Sequence, residues 1–502
     1  MVADLRKELE AKILASPSDN IALIGRLNGV KSELTYKALG RIMFYLSSRI
    51  YSSGRKVSSI GILSNRKCEA YIAVLCAYFL GIKFVPLNPK FPKERLKKII
   101  ALSEIDLIMF DSGEANLLQS FEPDSIDLSG IVSSFLEAPE GSCISQGLSQ
   151  DHIDENAFAY QMFTSGSTGA PKGVPISYGN LNAYVCGISQ IIEYRQGDKC
   201  SQFFDLSFDL SMHDIFVVLY NGGTIVAAED IDLMMPTKYI DKNAIDMWFS
   251  VPVLGKVASA TEKSIPTKHK LRDALFCGEA LPMAVANAFT SLLDGKAGVW
   301  NLYGPTEATI AFSARNTANV ATDLVIAPLG VPFGENIAAI LLENGDVVTE
   351  FEDGHEGMLL LGGSQVFSGY KPDTGKEAFH IWKGIQYYVS GDLVRQNQRE
   401  LLYLGREDSQ VKIRGFRVEL GEIEKVFREL YELDLLAVFV RGNVGNLEIC
   451  VAYQNDLDIE IGDELTARLP DYMIPSLLVK CDTLPTNVNG KIDKKALAKT
   501  YG

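Results

Sequence analysis

The sequence has little of what marks a zinc protein, a disulfide-stabilised protein or a nucleic-acid-binding protein. It holds eight cysteines and five histidines in 502 residues, with no C-x-x-C pair and no histidine couple near a cysteine. This pattern argues against a zinc site and a disulfide framework, and it fits a reducing cytoplasm. The net charge of −15 is opposite to the basic excess of most nucleic-acid-binding proteins.

Long hydrophobic runs are also lacking. The longest apolar stretch, residues 71–82, ends at Lys83, well short of the roughly 20 residues that cross a bilayer, so we predict a buried helix. The amino terminus has no signal-peptide pattern and places Leu5, Leu9 and Ile13 on one helix face. We expect a cytoplasmic protein that binds neither membrane nor nucleic acid.

What the sequence does contain is typical of an α/β enzyme. Strand-like runs such as "SSIGILS", "IKFVPLN" and "IDLIMFD" alternate with helical patterns, which predicts βαβ units in mostly parallel sheets. After about residue 310, short β segments with turn signals take over. We predict a core of two mostly parallel α/β sheets plus a small β-barrel over residues 1–407, and a small α+β domain over 408–502.

The segment "FTSGSTGAPKGV", from Phe163 to Val174, surrounds one lysine with glycines and hydroxyls. Glycines let a chain bend tightly, so that its N–H groups and hydroxyls surround phosphate oxygens. An ordinary P-loop is excluded because Pro171 precedes Lys172 and Gly173 follows it. Apolar runs on both sides predict a turn held between two strands. Taken alone, the segment is also compatible with a flexible surface loop.

Further motifs follow in a fixed order, and together they carry a family resemblance. They are "NLYGPTEAT" (301–309), "SGDL" (390–393), "GREDSQVKIRGFRVELGEIE" (405–424), "LPDYMIP" (469–475) and "NGKID" (489–493). The set resembles the adenylate-forming superfamily, which includes adenylation domains of nonribosomal peptide synthetases, acyl-CoA synthetases and luciferase. The resemblance implies a ligase in which a carboxylate attacks the α-phosphorus of ATP, releasing pyrophosphate, and a thiol then converts the adenylate to a thioester.

The same resemblance implies the residues that hold ATP and Mg²⁺. The β- and γ-phosphates would contact Thr164, Ser165, Gly166, Ser167, Thr168 and Lys172. The remaining nucleotide contacts would be Tyr303 stacked on adenine beside Gly304, Thr306 at the α-phosphate, Glu307 on Mg²⁺, and Asp392 on the ribose hydroxyls with Arg406 close by. Singly, such residues are also compatible with solvated charges, core rings or turn caps, and the ordered set favours the functional interpretation.

Lys491 and Asp408 are the residues that the resemblance assigns to movement between the two steps. Lys491 would bridge the substrate carboxylate and the α-phosphate, which stabilises the negative charge that accumulates there. Asp408 lies where the family hinges. The small domain would rotate there, bringing Lys491 in for adenylation and removing it for thioester formation.

The segment "FDLSMHDIF", from Phe208 to Phe216, resembles the part that recognises the substrate in peptide-synthetase adenylation domains. There the residue matching Asp209 pairs with the α-ammonium of an amino acid, so we expect an amino acid and not a fatty acid. Removing one partner of such a buried pair is costly. The alternative is that Asp209 caps the helix that follows, since aspartate is a favoured N-cap.

By the same resemblance, a predicted side-chain pocket contains no lysine, arginine or carboxylate and therefore favours a small apolar amino acid. Its lining would be Leu210, His213, Phe249, Leu275, Cys277, Leu302, Ile310 and Ala311. This set is similar to that of stand-alone prolyl-carrier-protein ligases, so we favour L-proline. D-alanine:carrier-protein ligases are the alternative, and His213 departs from both patterns.

The chain ends about a dozen residues after Lys491, with no carrier domain following it. We therefore expect the thiol to belong to the phosphopantetheine arm of a free-standing carrier protein, as in nonribosomal peptide biosynthesis, with coenzyme A as the alternative. Three other functions stay open: an acyl- or aryl-CoA ligase, a non-catalytic binding protein on the same fold, and a P-loop ATPase. The missing G-K-[ST] already disfavours the last.

Overall fold

The computed structural model of the chain describes residues 4–15, 19–52, 54, 56–137, 153–164, 171–263, 266–321, 323–373, 378–398, 400–433, 435–442, 447–454, 459–486 and 492–501. The strands are β1 (Ile21–Leu27), β2 (Val30–Thr35), β3 (Ser59–Leu63), β4 (Lys83–Leu87), β5 (Leu107–Phe110), β6 (Asp124–Asp127), β7 (Phe158–Thr164), β8 (Lys172–Ser177), β9 (Lys199–Gln202), β10 (Thr224–Ala227), β11 (Met247–Ser250), β12 (Leu271–Phe276), β13 (Leu293–Tyr303), β14 (Ser313–Asn316), β15 (Val331–Pro332), β16 (Ile337–Leu342), β17 (Val347–Val348), β18 (Glu356–Gly362), β19 (Phe379–Trp382), β20 (Ile385–Asn397), β21 (Glu400–Arg406), β22 (Gln410–Ile413), β23 (Phe416–Glu419), β24 (Leu435–Arg441), β25 (Glu448–Gln454) and β26 (Leu477–Lys480).

The helices are α1 (Leu5–Ala15), α2 (Tyr36–Ser52), α3 (Cys68–Phe79), α4 (Lys93–Leu102), α5 (Ala115–Leu118), α6 (Leu128–Glu137), α7 (Tyr178–Ser189), α8 (Leu210–Met212), α9 (Val218–Tyr220), α10 (Asp230–Met234), α11 (Pro236–Asn243), α12 (Pro252–Glu262), α13 (Met283–Phe289), α14 (Leu420–Tyr431), α15 (Asp463–Thr466) and α16 (Lys494–Tyr501). A π-helical segment, His213–Val217, joins α8 to α9. Among the described residues, no helix is both long enough and apolar enough to span a bilayer.

Two mostly parallel sheets form the body, as predicted. The first has the order β6-β5-β3-β4-β7-β8 and is parallel except for the β7–β8 pair. The second has the order β15-β14-β13-β12-β11-β9-β10-β1-β2, with antiparallel strands only at its two edges. Apolar strands separated by helices fold this way because each βαβ crossover covers a sheet face with its helix.

Helix α3 is the central element of the core. Every residue of it is buried, and it packs against β1 of one sheet and against β3 and β4 of the other. A helix that is apolar on all sides belongs in such a place between layers. The prediction of a buried helix in this stretch is confirmed, and so is the amphipathic face of α1, whose Leu5, Leu9 and Ile13 are all buried.

The short β segments after residue 310 build a third, antiparallel sheet where we predicted a small β-barrel. Its order is β17-β16-β18-β20-β19, and β21 pairs with β20. Beyond it, β22 and β23 form a hairpin, and β24, β25 and β26 form a three-stranded sheet that packs against α14 and α16.

The apolar cores divide close to the predicted domain boundary. Two described clusters draw all their members from residues 411–501, whereas the members of the other four end at Tyr403. Separate cores are what two domains require. The exact boundary at residues 407/408 and the rotation about Asp408 stay predictions.

Candidate active site

One cavity lies between the body and the β22–β23 hairpin, and it brings together many of the predicted site residues. Its lining includes Thr164, Asp209, Leu210, Gly304, Thr306, Ile310, Asp392 and Arg406 from the body, and Gln410, Lys412, Phe416 and Arg417 from the hairpin. The body residues come from distant motifs: Thr164 ends β7, Gly304 follows β13, Asp392 lies within β20 and Arg406 ends β21.

The predicted phosphate-binding turn joins two paired strands. Thr164, the last residue of β7, is the direct partner of Lys172, the first residue of β8, so the prediction that strands flank this segment on both sides is confirmed. The Nζ atom of Lys172 lies 5.4 Å from the centroid of the Tyr370 ring. Residues Ser165, Gly166, Ser167 and Thr168 lie outside the described residues, and their phosphate contacts stay predictions.

Gly173 is required by a close backbone approach. Its N–H donates to the Lys371 carbonyl at 3.0 Å, and the Lys371 N–H donates back at 2.8 Å. A Cβ at this position would lie 2.1 Å from Nε2 of Gln161 and 2.7 Å from the Lys371 carbonyl oxygen. Gly173, whose place after Lys172 is incompatible with a P-loop motif, therefore lets β8 lie directly against the backbone at Lys371.

The predicted ribose site is a buried carboxylate with two donors. The Tyr303 hydroxyl donates to one oxygen of Asp392 at 2.6 Å, and Arg406 donates to the other at 2.7 Å. Arg406 also makes two bonds of 2.7 Å to Asp408. Three predicted residues thus share one network with the predicted hinge residue, which links the ribose site to the start of the C-terminal part.

A second cavity adjoins this network and adds residues that the sequence reasoning missed. It is lined by Tyr303, Leu302, Asp392 and Arg406 together with the unpredicted Gly278, Glu279, Ala280 and Asn301. Asn301 opens the "NLYGPTEAT" motif, so its position beside Tyr303 was a usable signal. Glu279 follows Cys277 by two residues and carried no comparable signal.

Glu307 is an ionised carboxylate inside the protein. Its side chain is 0% exposed, the Tyr370 hydroxyl donates to it at 2.6 Å, and Nη1 of Arg417 lies 2.8 Å from both of its oxygens. Burial alone would raise the pKa of Glu307, but the Arg417 charge and the Tyr370 hydroxyl outweigh burial and lower the pKa. Tyr370 and Arg417 are site residues that sequence reasoning did not single out.

The donor chemistry of Glu307 suits a hard cation. Mg²⁺ prefers oxygen ligands and is commonly held by one or two carboxylates with substrate phosphates. No group of three or more possible metal ligands occurs within the described part of the chain. Mg²⁺ binding at Glu307 stays a prediction.

Asp209 lines the first cavity and is buried, with 7% of its surface exposed. Its Oδ2 accepts the Ile310 N–H at 3.2 Å. Burial raises the pKa of Asp209 to about 6, against the lowering effect of its hydrogen bond with Thr306. Asp209 occupies the N-cap position of α8, but its side chain makes no capping bond there, so the alternative of a side-chain cap is wrong. Among the described residues, Asp209 forms no ion pair.

His213 is held as a neutral ring. Its Nδ1 is 2.7 Å from the Tyr184 hydroxyl and its Nε2 is 2.8 Å from the Tyr194 hydroxyl. The ring packs on Phe249, with 4.5 Å between centroids, and burial lowers the pKa of His213 to about 3. Tyr184 and Tyr194 were not predicted, because neither lies in a recognisable motif.

The other predicted specificity residues lie at different depths. Leu210 and Ile310 line the first cavity, and Leu302 lines the second. Phe249, Leu275, Cys277 and Ala311 are not part of either lining and belong to the buried apolar cluster that contains Leu210 and Ile310. Cys277 is one of the described cysteines, all of which are free thiols. Lys491 lies outside the described residues.

Comparisons with known proteins identify the family of this chain. The family model described as "AMP-binding enzyme" matches residues 9–371. A D-alanine--D-alanyl carrier protein ligase from Bacillus licheniformis is 29% identical over 97% of this chain and 97% of its own length. Malpinin synthetase from Mortierella alpina is 31% identical over 92% of this chain, which spans only 6% of that protein.

A solved structure extends the likeness to three dimensions. The Vibrio cholerae adenylation domain AlmE, crystallised with glycyl-adenosine-5'-phosphate, has a TM-score of 0.87 and 28% identity, covering 100% of this chain and 98% of that one. The resemblance seen in the ordered motifs is thereby confirmed. The match to the family model over more than half of the sequence shows that the chain belongs to the AMP-binding enzyme family and is a ligase.

Proposed function

We propose that this chain uses ATP to activate a small amino acid as an aminoacyl-adenylate and transfers the aminoacyl group to the phosphopantetheine thiol of a carrier protein. The observation that carries the proposal is Asp209, a buried carboxylate without an ion-pair partner among the described residues, placed in the same cavity as Thr164, Thr306 and Asp392. A substrate ammonium would supply the missing countercharge, and a fatty or aryl acid has none to offer.

The first candidate substrate is D-alanine. Leu210 and Ile310 line the cavity with Asp209, and these apolar neighbours suit a small, uncharged side chain. The carrier-protein ligase that matches over nearly its full length is named for D-alanine. Glycine is the second candidate, since the adenylation domain AlmE was crystallised with a glycyl-adenylate. The sequence-based preference for L-proline is not supported by these relatives.

Different residues would contact the phosphates, the ribose and the reacting groups. Thr164 and Lys172 would hold the departing phosphates, Asp392 the ribose, and Thr306 the α-phosphate. Mg²⁺ bound at Glu307 would neutralise phosphate charge, which is most of what phosphoryl chemistry asks of a protein. Lys491 would bridge the substrate carboxylate and the α-phosphate, and it would do so only during adenylation. A carrier thiol is favoured over coenzyme A because the ligase matched at full length acts on a carrier protein, by its name.

Amino-acid-dependent ATP–pyrophosphate exchange tests the substrate class. The purified chain is assayed with D-alanine, glycine, L-alanine, L-proline, a fatty acid and an aryl acid. We expect the fastest exchange with D-alanine or glycine, and about 10- to 200-fold less with a substrate that is one or two carbons too large. Exchange that depends on the fatty or aryl acid, and not on amino acids, would overturn the proposal in favour of an acyl- or aryl-CoA ligase.

Mass spectrometry of thiol acceptors tests the second step. A carrier protein bearing phosphopantetheine and free coenzyme A are offered in parallel with ATP and the best amino acid. We expect the aminoacyl mass on the carrier. If only coenzyme A became aminoacylated, coenzyme A and not a carrier protein would be the acceptor.

A further inference from the structure

The ion pair between Arg417 and Glu307 joins the β22–β23 hairpin to the body at the predicted cation site. Nη1 of Arg417 is 2.8 Å from both carboxylate oxygens. The Glu307 side chain is fully buried and that of Arg417 is 19% exposed. A buried carboxylate needs a nearby cation, since an unpaired one is strongly disfavoured. In this arrangement the cation is the guanidinium of the hairpin.

Other contacts show that the hairpin is seated on the body at several points. The Gly415 N–H donates to Oε1 of Glu279 at 2.6 Å, and the Phe416 ring meets the Phe208 ring edge-on with 4.5 Å between centroids. The position of Arg417 is therefore set by the seating of the whole hairpin and not by one flexible side chain. If the hairpin leaves, the guanidinium leaves with it.

We propose that Arg417 and a divalent cation compete for the Glu307 carboxylate, so that the hairpin seats on the body only when the cation has gone. This rests on the proposed function, in which the cation accompanies ATP and departs with pyrophosphate. Both partners need the same two oxygens, and a divalent ion placed beside this partly buried guanidinium would be repelled by it. Arg417 is thus a positioning residue that couples departure of the metal to seating of the hairpin.

The competition predicts how cation affinity changes when the guanidinium is removed. An affinity is weakened by the fraction of molecules in which the site is blocked. Arg417→Gln removes the competing charge, so Mn²⁺, a paramagnetic stand-in for Mg²⁺, should bind more tightly. Arg414 lies exposed at the tip of the same hairpin, and Arg414→Gln deletes an equal charge without touching Glu307.

The test measures Mn²⁺ binding without nucleotide, by electron paramagnetic resonance of the free ion, on the full chain. We expect Arg417→Gln to lower the Mn²⁺ Kd by about tenfold, as for a site that is blocked in nine molecules of ten. Arg414→Gln should leave the Kd unchanged. Adding Glu307→Gln to Arg417→Gln should abolish the gain. Equal Kd values for wild type and Arg417→Gln would overturn the proposal.

A second readout uses the wild-type chain and so does not depend on how the variants fold. Hydrogen–deuterium exchange of residues 410–419 is followed as Mn²⁺ is raised to saturation. We expect faster exchange in the hairpin as the cation displaces Arg417, with exchange in α3 unchanged. Constant hairpin exchange at saturating Mn²⁺ would contradict the competition. Neither readout uses an amino acid or a carrier. If pyrophosphate exchange is normal but the cation tests fail, this inference is wrong and the proposed function is unaffected.

Discussion

At the scale of single residues, Asp209 should make substrate capture depend on pH. Burial raises the pKa of this carboxyl to about 6, and only the ionised form attracts an ammonium. We expect kcat/KM for the amino acid to rise with pH through about 6 and to level off above it, because that ratio reports the free enzyme. Pyrophosphate exchange measured from pH 5 to pH 8 checks this, and a flat profile would argue against a role for Asp209.

The buried carboxylate of Asp209 should also lower the free energy of unfolding. The folded pKa lies above the ordinary value of 3.8, so ionisation disfavours the folded state, and the penalty grows as pH rises from about 4 to above 6. A folded pKa of about 6 against 3.8 corresponds to a full penalty of about 3 kcal/mol in the free energy of unfolding. Asp209→Asn should therefore raise the melting temperature at pH 8, with most of the gain gone at pH 4, while amino-acid activation is lost. A melting temperature that falls at pH 8 would contradict this account.

His213 supplies a prediction about packing. Because one tyrosine must donate to the neutral ring and the other must accept from it, removing either hydroxyl leaves a buried nitrogen unpaired. We expect Tyr194→Phe and Tyr184→Phe each to lower the free energy of unfolding by about 1–3 kcal/mol. Tyr45→Phe serves as the control, since this partly buried ring packs on Phe135, away from His213. Denaturant titration of the three variants gives the comparison, and equal losses in all three would remove the special role of the two hydroxyls.

At this scale, the sequence could predict site residues that lie in short continuous motifs. Thr164, Glu307 and Asp392 lie in short motifs with turn glycines beside them, so each was identified. Tyr370 and Arg417 reach Glu307 from 63 and 110 residues away. Arg417 lies within the quoted motif of residues 405–424, but its pairing with Glu307 exists only after the chain has folded, and no local pattern encodes which residues pair.

At the scale of elements, the β7–β8 hairpin should be sensitive to Gly173. A methyl group there would overlap Gln161 and the Lys371 carbonyl, which forces β8 away from the segment carrying Tyr370. We expect Gly173→Ala to lower the melting temperature and to raise the KM for ATP by displacing Lys172. Gly295→Ala is the control, because no atom lies within 4 Å of its added Cβ. Matching behaviour of the two variants in thermal melts and ATP titrations would contradict this view.

The elements themselves were largely predictable, and their arrangement was not. Alternating apolar runs predicted β3, β4 and β5 and the helices between them, because burial on both faces imposes such runs. The order of the nine-stranded sheet places β1, from the start of the chain, beside β10, with β2 at the edge. That pairing spans about 200 residues, and hydrophobic patterning carries no information on which strand lies next to which.

At the scale of the whole molecule, the two half-reactions should be separable. We expect Lys491→Ala to abolish adenylate formation while leaving transfer from a preformed adenylate to the thiol largely intact, because the lysine would act only while charge accumulates at the α-phosphate. Pyrophosphate exchange measures the first step, and single-turnover loading from synthetic adenylate measures the second. An equal loss in both steps would contradict the rotation about Asp408.

The most direct test of the central claim is a crystal structure with a non-hydrolysable analogue of D-alanyl- or glycyl-adenylate. We predict that the analogue's ammonium lies about 3 Å from a carboxylate oxygen of Asp209, a hydrogen-bonding distance, with its ribose on Asp392. An ammonium bound elsewhere, with the Asp209 side chain still bonded only to Ile310 and Thr306, would contradict the assignment of this chain as an amino-acid-activating enzyme.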